Sequence, residues 1–137
     1  MTLSYKKGNL FDLKSHYAHC ISADYALGAG IARQFRDKFD MRNKLIQRHP
    51  SPKVGECVLI ENTFNLITKD RYYNKPTYTT LRTSLVNLKQ QCINLGIYNI
   101  AMPKIGCGLD KLNWTEVEKM ITDIFENTTV NITVCIL

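Results

Sequence analysis

Two periodicities run along this 137-residue chain, and its elements begin and end where one gives way to the other. Residues 2–6 alternate polar and apolar side chains and stop at Gly8, which predicts a short strand. Tyr17, Ala18, Cys20 and Ile21 make the next apolar run, a mostly buried strand over 17–22. Then the period lengthens. Ile31, Phe35 and Phe39 recur every four residues, with Arg33, Arg36, Asp37 and Lys38 elsewhere around the helix they predict. A looser stretch over 42–48 predicts another turn or two before His49, Pro50, Ser51 and Pro52 break it.

Residues 56–60 and 64–68 read as paired strands joined near Glu61, Asn62 and Thr63. The clearest helical stripe follows. Tyr78, Leu81, Leu85, Leu88, Cys92 and Leu95 step by three and four, opened by Pro76 and stopped by Gly96. Next come a strand over 98–102, a loop over 103–112, and a helix over 114–125 with Val117, Ile121 and Ile124 inward. Thr115 and Glu118 have the spacing of a capping box for that helix. Alternation over 130–136 closes the chain as a strand. Strands alternating with helices predict an α/β fold with a mixed sheet covered on both faces.

The length is that of one domain, residues 1–137, with no internal repeat or linker. A chain this long buries roughly two-thirds of its unfolded surface, so its core needs neither disulfide nor metal. A hydrophobic fraction of 45% with 22% charged residues excludes disorder and coiled coil. No apolar run approaches the roughly 20 residues that span a bilayer, and the first residues lack an apolar signal core. Neither membrane insertion nor secretion is expected.

Cys20, Cys57, Cys92, Cys107 and Cys135 are odd in number, widely spaced and form no CxxC pair. His16 and His19 have only Cys20 nearby. That pattern predicts neither a disulfide framework nor a metal site; it fits reduced thiols in an intracellular, cytoplasmic protein. A chain this small would also enter a nucleus passively, where the host has one. The net charge of +6 favours anionic partners, but the basic residues are dispersed. Small phosphorylated ligands therefore fit as well as DNA or RNA.

Two strand-to-helix connections carry unusual loops. One contains Gly28-Ala29-Gly30, the other Gly106-Cys107-Gly108. Glycine lets backbone N–H groups approach an anion with no Cβ in the way. A following helix adds the positive end of its dipole. At the carboxyl ends of strands, such loops lie where open α/β sheets bind ligands. Neither is a Walker A loop, and neither completes GxGxxG. Two tight turns without a ligand remain the plain alternative.

Lys69 ends a predicted strand, where a lysine is ordinarily just solvated. Beside a cleft it becomes a candidate amine nucleophile. Asp110, after the second glycine loop, either caps a turn or serves as an acid or base. His16, His19 and His49 read as structural, and neither Ser22 nor Cys107 has an evident base nearby in sequence.

Six strings resemble a known family: Gly8-Asn9-Leu10-Phe11, Ala18-His19-Cys20-Ile21-Ser22, Gly28-Ala29-Gly30-Ile31-Ala32, Leu66-Ile67-Thr68-Lys69, Lys75-Pro76-Thr77-Tyr78 and Pro103-Lys104-Ile105-Gly106-Cys107-Gly108-Leu109-Asp110. They are similar to macrodomains, in the branch of the terminal ADP-ribose protein glycohydrolase, from Tyr5 to Leu137. The resemblance implies a three-layer α-β-α fold with a mixed, mostly parallel central sheet, and ADP-ribose as ligand. It implies that the first glycine loop, with Ile31 and Ala32, and the loop from Lys104 to Asp110 hold the diphosphate and distal ribose. It further implies that Leu10 and Ser22 line the site, that Asn9 faces the adenine, and that Lys69 and Asp110 do the chemistry. No cofactor is implied, and macrodomains of this size are often monomers.

The implied reaction removes ADP-ribose from a modified carboxylate side chain, from O-acyl-ADP-ribose, or from a nucleobase. A reader module that binds ADP-ribose without turnover is the alternative; Lys69 and Asp110 together favour the enzyme. A nucleic-acid-binding protein is a third reading, but no aromatic–basic motif or DNA-reading helix is present. The positive charge would then help ADP-ribosylated protein or nucleic acid reach the cleft. One departure is Asn9, where the family usually has aspartate to receive the adenine amino group. Charged hydrogen bonds are worth about 1.5–3 kcal/mol against roughly 1 for neutral ones. Titration calorimetry on Asn9→Asp should therefore show ADP-ribose binding tightened by up to about tenfold.

Overall fold

A computed structural model describes every residue from Met1 to Leu137. The chain runs β1 (Thr2–Lys7), a single 3-10 turn (Leu10–Asp12), β2 (His16–Ser22), α1 (Gly30–Phe39), α2 (Met41–Arg48), β3 (Cys57–Ile60), β4 (Thr63–Lys69), α3 (Tyr78–Leu95), β5 (Asn99–Met102), α4 (Trp114–Phe125) and β6 (Asn131–Ile136). Each periodic segment of the sequence forms the element its period predicts, within two residues at the ends.

Two local features differ from the expectation, and the junction of α1 and α2 sharpens it. The 3-10 turn after Gly8 has no period to announce it; Asn9 caps it by accepting from the Phe11 N–H. The looser stretch before His49 forms the expected turn or two as α2, which follows α1 without a loop because Asp40 adopts left-handed backbone (φ 53) between them. The Thr115–Glu118 capping box does not form. Asn113 caps α4 instead, its side chain accepting from the Thr115 N–H, so Thr115 already lies inside the first turn. Glu118 accepts from the Tyr5 hydroxyl. A real box closes α3, where Thr77 and Thr80 exchange bonds, and Gly96 ends that helix in left-handed backbone.

The sheet has the order β1-β6-β5-β2-β4-β3. All neighbours are parallel except β3, the edge strand, which pairs antiparallel with β4. Successive side chains on a strand face opposite layers. Thus Ala18, Phe64, Leu66, Ile100 and Met102 pack with α3 and α4, while Tyr17, Ile21, Ile67 and Ala101 pack with Phe35, Met41 and Leu45 of α1 and α2. The result is three layers, α-β-α, with a mixed, mostly parallel sheet. From β2 the chain goes to one side of the sheet and from β5 to the other. The strands lie adjacent, so a crevice opens between their carboxyl ends. No helix is long and apolar enough to cross a membrane.

Histidine 19 belongs to the core beneath that crevice. It is fully buried on β2, stacked on Phe35 with ring centroids 3.9 Å apart, and its Nε2 lies 2.6 Å from Asn65 Oδ1. The Asn65 amide nitrogen donates to the Val58 and Thr63 carbonyls. Its oxygen is thus the acceptor, and His19 is the neutral Nε2–H tautomer. His19 Nδ1 has no partner. A second proton there would be buried without an acceptor, and this desolvation pushes the imidazole down to about 4, against the smaller opposing effect of Asn65.

A depressed histidine value means that the unfolded chain binds the extra proton and the folded chain does not. Stability is therefore full above about pH 6.5 and falls as the pH drops toward 4. Urea unfolding should show a loss of about 2 kcal/mol between pH 7 and pH 5. In His19→Gln, which still donates to Asn65 but does not titrate, most of that loss should disappear.

Candidate active site

One extra residue positions the key side chain. Along β2 and β4 the register pairs Ile21 with Ile67 but Ser22 with Lys69, so Thr68 is a bulge. Unbroken alternation would send Lys69 with Ile67 toward α1 and α2. The bulge sends it to the side of Ser22 instead. Pairing then resumes past the strand ends, with Ala23 N–H on the Lys69 carbonyl (2.9 Å) and Asp24 N–H on that of Asp70 (3.1 Å). Lys69 Nζ there donates to Asp110 Oδ1 at 2.7 Å, with each side chain only about one-sixth exposed.

This pair sits in a cleft of about 1360 Å³, larger than the roughly 300–1,000 Å³ of a drug-sized site and suited to an elongated ligand. Every candidate residue lines it: Asn9, Leu10, Ser22, Gly28, Ala29, Gly30, Ile31, Ala32, Lys69, Lys104, Ile105, Gly106, Cys107, Gly108, Leu109 and Asp110.

The two glycine loops differ in build. The first ends at the N-terminus of α1, whose cap residue Ala29 makes no side-chain bond and whose first turn carries no acidic residue. First-turn N–H groups of a helix have no partner within it, and here they open on the cleft with the positive dipole end. The second loop has no such helix behind it. Residues 109–112 separate Gly108 from Asn113, which already caps α4; the sequence expectation of a dipole at both loops holds only for the first. Gly30 (φ 59) and Gly106 (φ 73) need glycine for their backbone. Neither Gly28 nor Gly108 has positive φ, and a Cβ on Gly108 would meet nothing within 4 Å. Packing within the chain therefore does not require glycine there, and its absent side chain leaves the backbone open to the cleft. Leu109 connects the loops, its Cδ1 lying 3.5 Å from where a Gly30 Cβ would be.

The sequence reading missed the residue that organises the first loop. Asp24 Oδ1 accepts from the Ser22 hydroxyl (2.5 Å) and the Ala26 N–H (3.1 Å), and its Oδ2 accepts from the Tyr72 N–H (2.9 Å). Burial raises the Asp24 carboxyl, but these three donors outweigh it and hold the group below the usual range. The i→i+2 bond to Ala26 is an Asx turn, whose signal was an aspartate two residues after a strand end. Tyr25 (φ 54) and Leu27 (φ 42) carry left-handed backbone in this loop, and both side chains are buried. That strain is held by core packing.

Three further points limit the chemistry. Asn9 Oδ1 already accepts from Phe11 N–H, so the free end of its amide is a donor; an aspartate would keep a second oxygen to offer. Cys20 and Cys107 line the cleft, but burial pushes their thiols up to about 12 and about 11, with Asp110 adding to both. Neither is a thiolate nucleophile near neutral pH. No group of three His, Cys, Asp or Glu side chains is arranged to hold a metal.

Comparison with known proteins agrees with this architecture. The chain matches the Macro domain family over residues 18–121. It is 41% identical over 138 residues to the ADP-ribose glycohydrolase OARD1 of Homo sapiens, covering 96% of this chain and 90% of that one. Among solved structures, the macrodomain of Thermus aquaticus DarG superposes with a TM-score of 0.85 at 23% identity, over 99% of both chains. Thermosipho africanus DarTG, in complex with ADP-ribose, superposes at 0.83 and 18% identity, over 98% of this chain and 41% of that one. With its six-stranded sheet, its crevice between β2 and β5 and this likeness over nearly its whole length, the chain belongs to the macro domain family.

Proposed function

We propose that this protein is an ADP-ribosyl hydrolase that uses Lys69 as nucleophile and Asp110 as acid and base. The observation that carries the reading is the 2.7 Å Lys69–Asp110 contact inside the cleft that both glycine loops line. The glycohydrolase name of the human relative and the ADP-ribose in the Thermosipho complex supply the ligand class. Substrates are ADP-ribose esters on carboxylate side chains, O-acyl-ADP-ribose and base-linked ADP-ribose.

In this reading the diphosphate lies over the open N-terminus of α1, where Gly28, Ala29 and Gly30 present N–H groups and no side chain competes. Anion binding at such a terminus needs only the orphan donors and the dipole. Lys104, Gly106 and Gly108 close over the diphosphate and distal ribose from the other side, bringing the anomeric carbon to Lys69. The Asn9 amide meets the adenine as a donor more readily than as an acceptor.

Lysine attacks only as the free amine, and the direct hydrogen bond gives its proton a place to go. Nζ passes a proton to Asp110, its lone pair forms a bond to the anomeric carbon, and the carbon–oxygen bond to the acyl group breaks. The carboxylate leaves with that electron pair. Protonated Asp110 gives its proton to that departing carboxylate and, as carboxylate again, takes one from the incoming water. The water oxygen bonds to the anomeric carbon as the carbon–nitrogen bond breaks toward Nζ, and Asp110 then returns its proton to the freed amine, leaving ADP-ribose and the starting enzyme. Water and ester are consumed, and ADP-ribose and acid are produced.

Mono-ADP-ribosylated protein carrying glutamate esters tests this. Lys69→Ala and Asp110→Ala should each slow ADP-ribose release by about 10²-fold or more, the range of a lost acid–base or nucleophilic group. Both should still bind ADP-ribose by calorimetry. If wild type and Lys69→Ala prove equally inert while both bind, the protein is a reader module instead. Running glutamate, serine, acetate and thymidine conjugates in parallel identifies the preferred linkage.

A further inference from the structure

The turn that carries Asp110 is held from outside by two lysines, and only one belongs to the chemistry above. Within residues 108–111 the backbone makes a single turn bond, Lys111 N–H to the Gly108 carbonyl, and Lys111 itself has left-handed backbone (φ 62). The tethers come from the end of β4 and the segment after it. Lys69 Nζ holds the Asp110 carboxylate, and Lys75 Nζ donates to the Leu109 carbonyl at 3.0 Å. That carbonyl belongs to the peptide leading into Asp110, so its orientation sets where the Asp110 side chain begins.

Lys75 has a firm base from which to do this. It precedes Pro76, which restricts its backbone to extended geometry. Its loop is tied to the first glycine loop through Tyr72 N–H on Asp24, and within itself through Arg71 and Asn74, which exchange bonds at 2.9 and 3.0 Å. Thr77 then anchors the far end as the cap of α3.

We propose that Lys75 is a positioning residue that keeps Asp110 in place while Lys69 is covalently occupied, a role that rests on the Lys69–Asp110 chemistry above. Once Nζ of Lys69 has bonded to the ribose it has one N–H fewer to offer Asp110, and the sugar now also fixes where it lies. The Lys75 bond to Leu109 is the charged side-chain tether that the reaction leaves untouched, and Asp110 must still meet water and the adduct within hydrogen-bond reach. Losing it slows resolution of the adduct more than its formation.

The test compares wild type, Lys75→Met, Lys75→Arg and Lys69→Ala on the glutamate-ester substrate, with rapid quench and intact-mass analysis. Lys75→Met should lower kcat by about tenfold or more and accumulate protein bearing one ADP-ribose. Its ADP-ribose affinity should stay within about threefold of wild type. Lys75→Arg, which still donates to a carbonyl, should restore most of the rate. Wild-type kcat in Lys75→Met overturns the proposal, as does lost affinity with kcat intact, which makes Lys75 a ligand contact. A fall in kcat without adduct also overturns it, since the slowed step is then the first. Wild-type turnover in Lys69→Ala is a different failure, which removes the mechanism itself. Lys75 is exposed, and equal thermal midpoints confirm that both variants fold.

Discussion

The site depends on a single irregularity in strand pairing, the extra residue Thr68 between Ile67 and Lys69. A strand has a period of two, so one inserted residue reverses the sidedness of everything after it. Before the bulge, β4 is a core strand with every side chain buried. After it, Lys69 emerges opposite Ser22 with its amine on Asp110. Thr68 itself is buried, with the Cys20 thiol as the neighbour of its hydroxyl.

Around that lysine the protein arranges charge by leaving some groups unsatisfied and satisfying others completely. Helices α3 and α4 close their own N-termini with Thr77 and Asn113, whereas α1 begins on Ala29 with no side chain to do so. Asp24 does the opposite. Half-buried beside the same loop, it has three donors and ties both neighbouring loops together. The cleft thus combines an open donor array for an anion with a rigid, fully bonded frame, and preorganised dipoles of this kind are the most effective electrostatic catalysts. The mostly buried Lys69–Asp110 pair belongs to the same economy. Removal of either partner strands the other in a poorly solvated place.

The sequence by itself determined the elements and most of the site. Apolar side chains at spacings of two and of three to four must face a common layer, so the strands, the helices and the α/β alternation follow from periodicity alone. Gly28, Gly30, Gly106 and Gly108 declared themselves as two Gly-x-Gly pairs in matching strand-to-helix positions, though only Gly30 and Gly106 need glycine for their backbone, and the matching strings of residues singled out Lys69 and Asp110. What only the tertiary structure decided lies between segments remote in sequence. Lys69 and Asp110 are 41 residues apart and Lys75 and Leu109 are 34 apart, and no local pattern encodes either contact. The α4 cap turned on whether Asn113 or Thr115 stood at the helix boundary, and the Asn9 oxygen was spent on a turn with no periodic signature. The bulge at Thr68 exists only in the register of β4 against β2. Side-chain period is a property of one strand, but sidedness at a bulge is a property of two, and it is settled only when they pair.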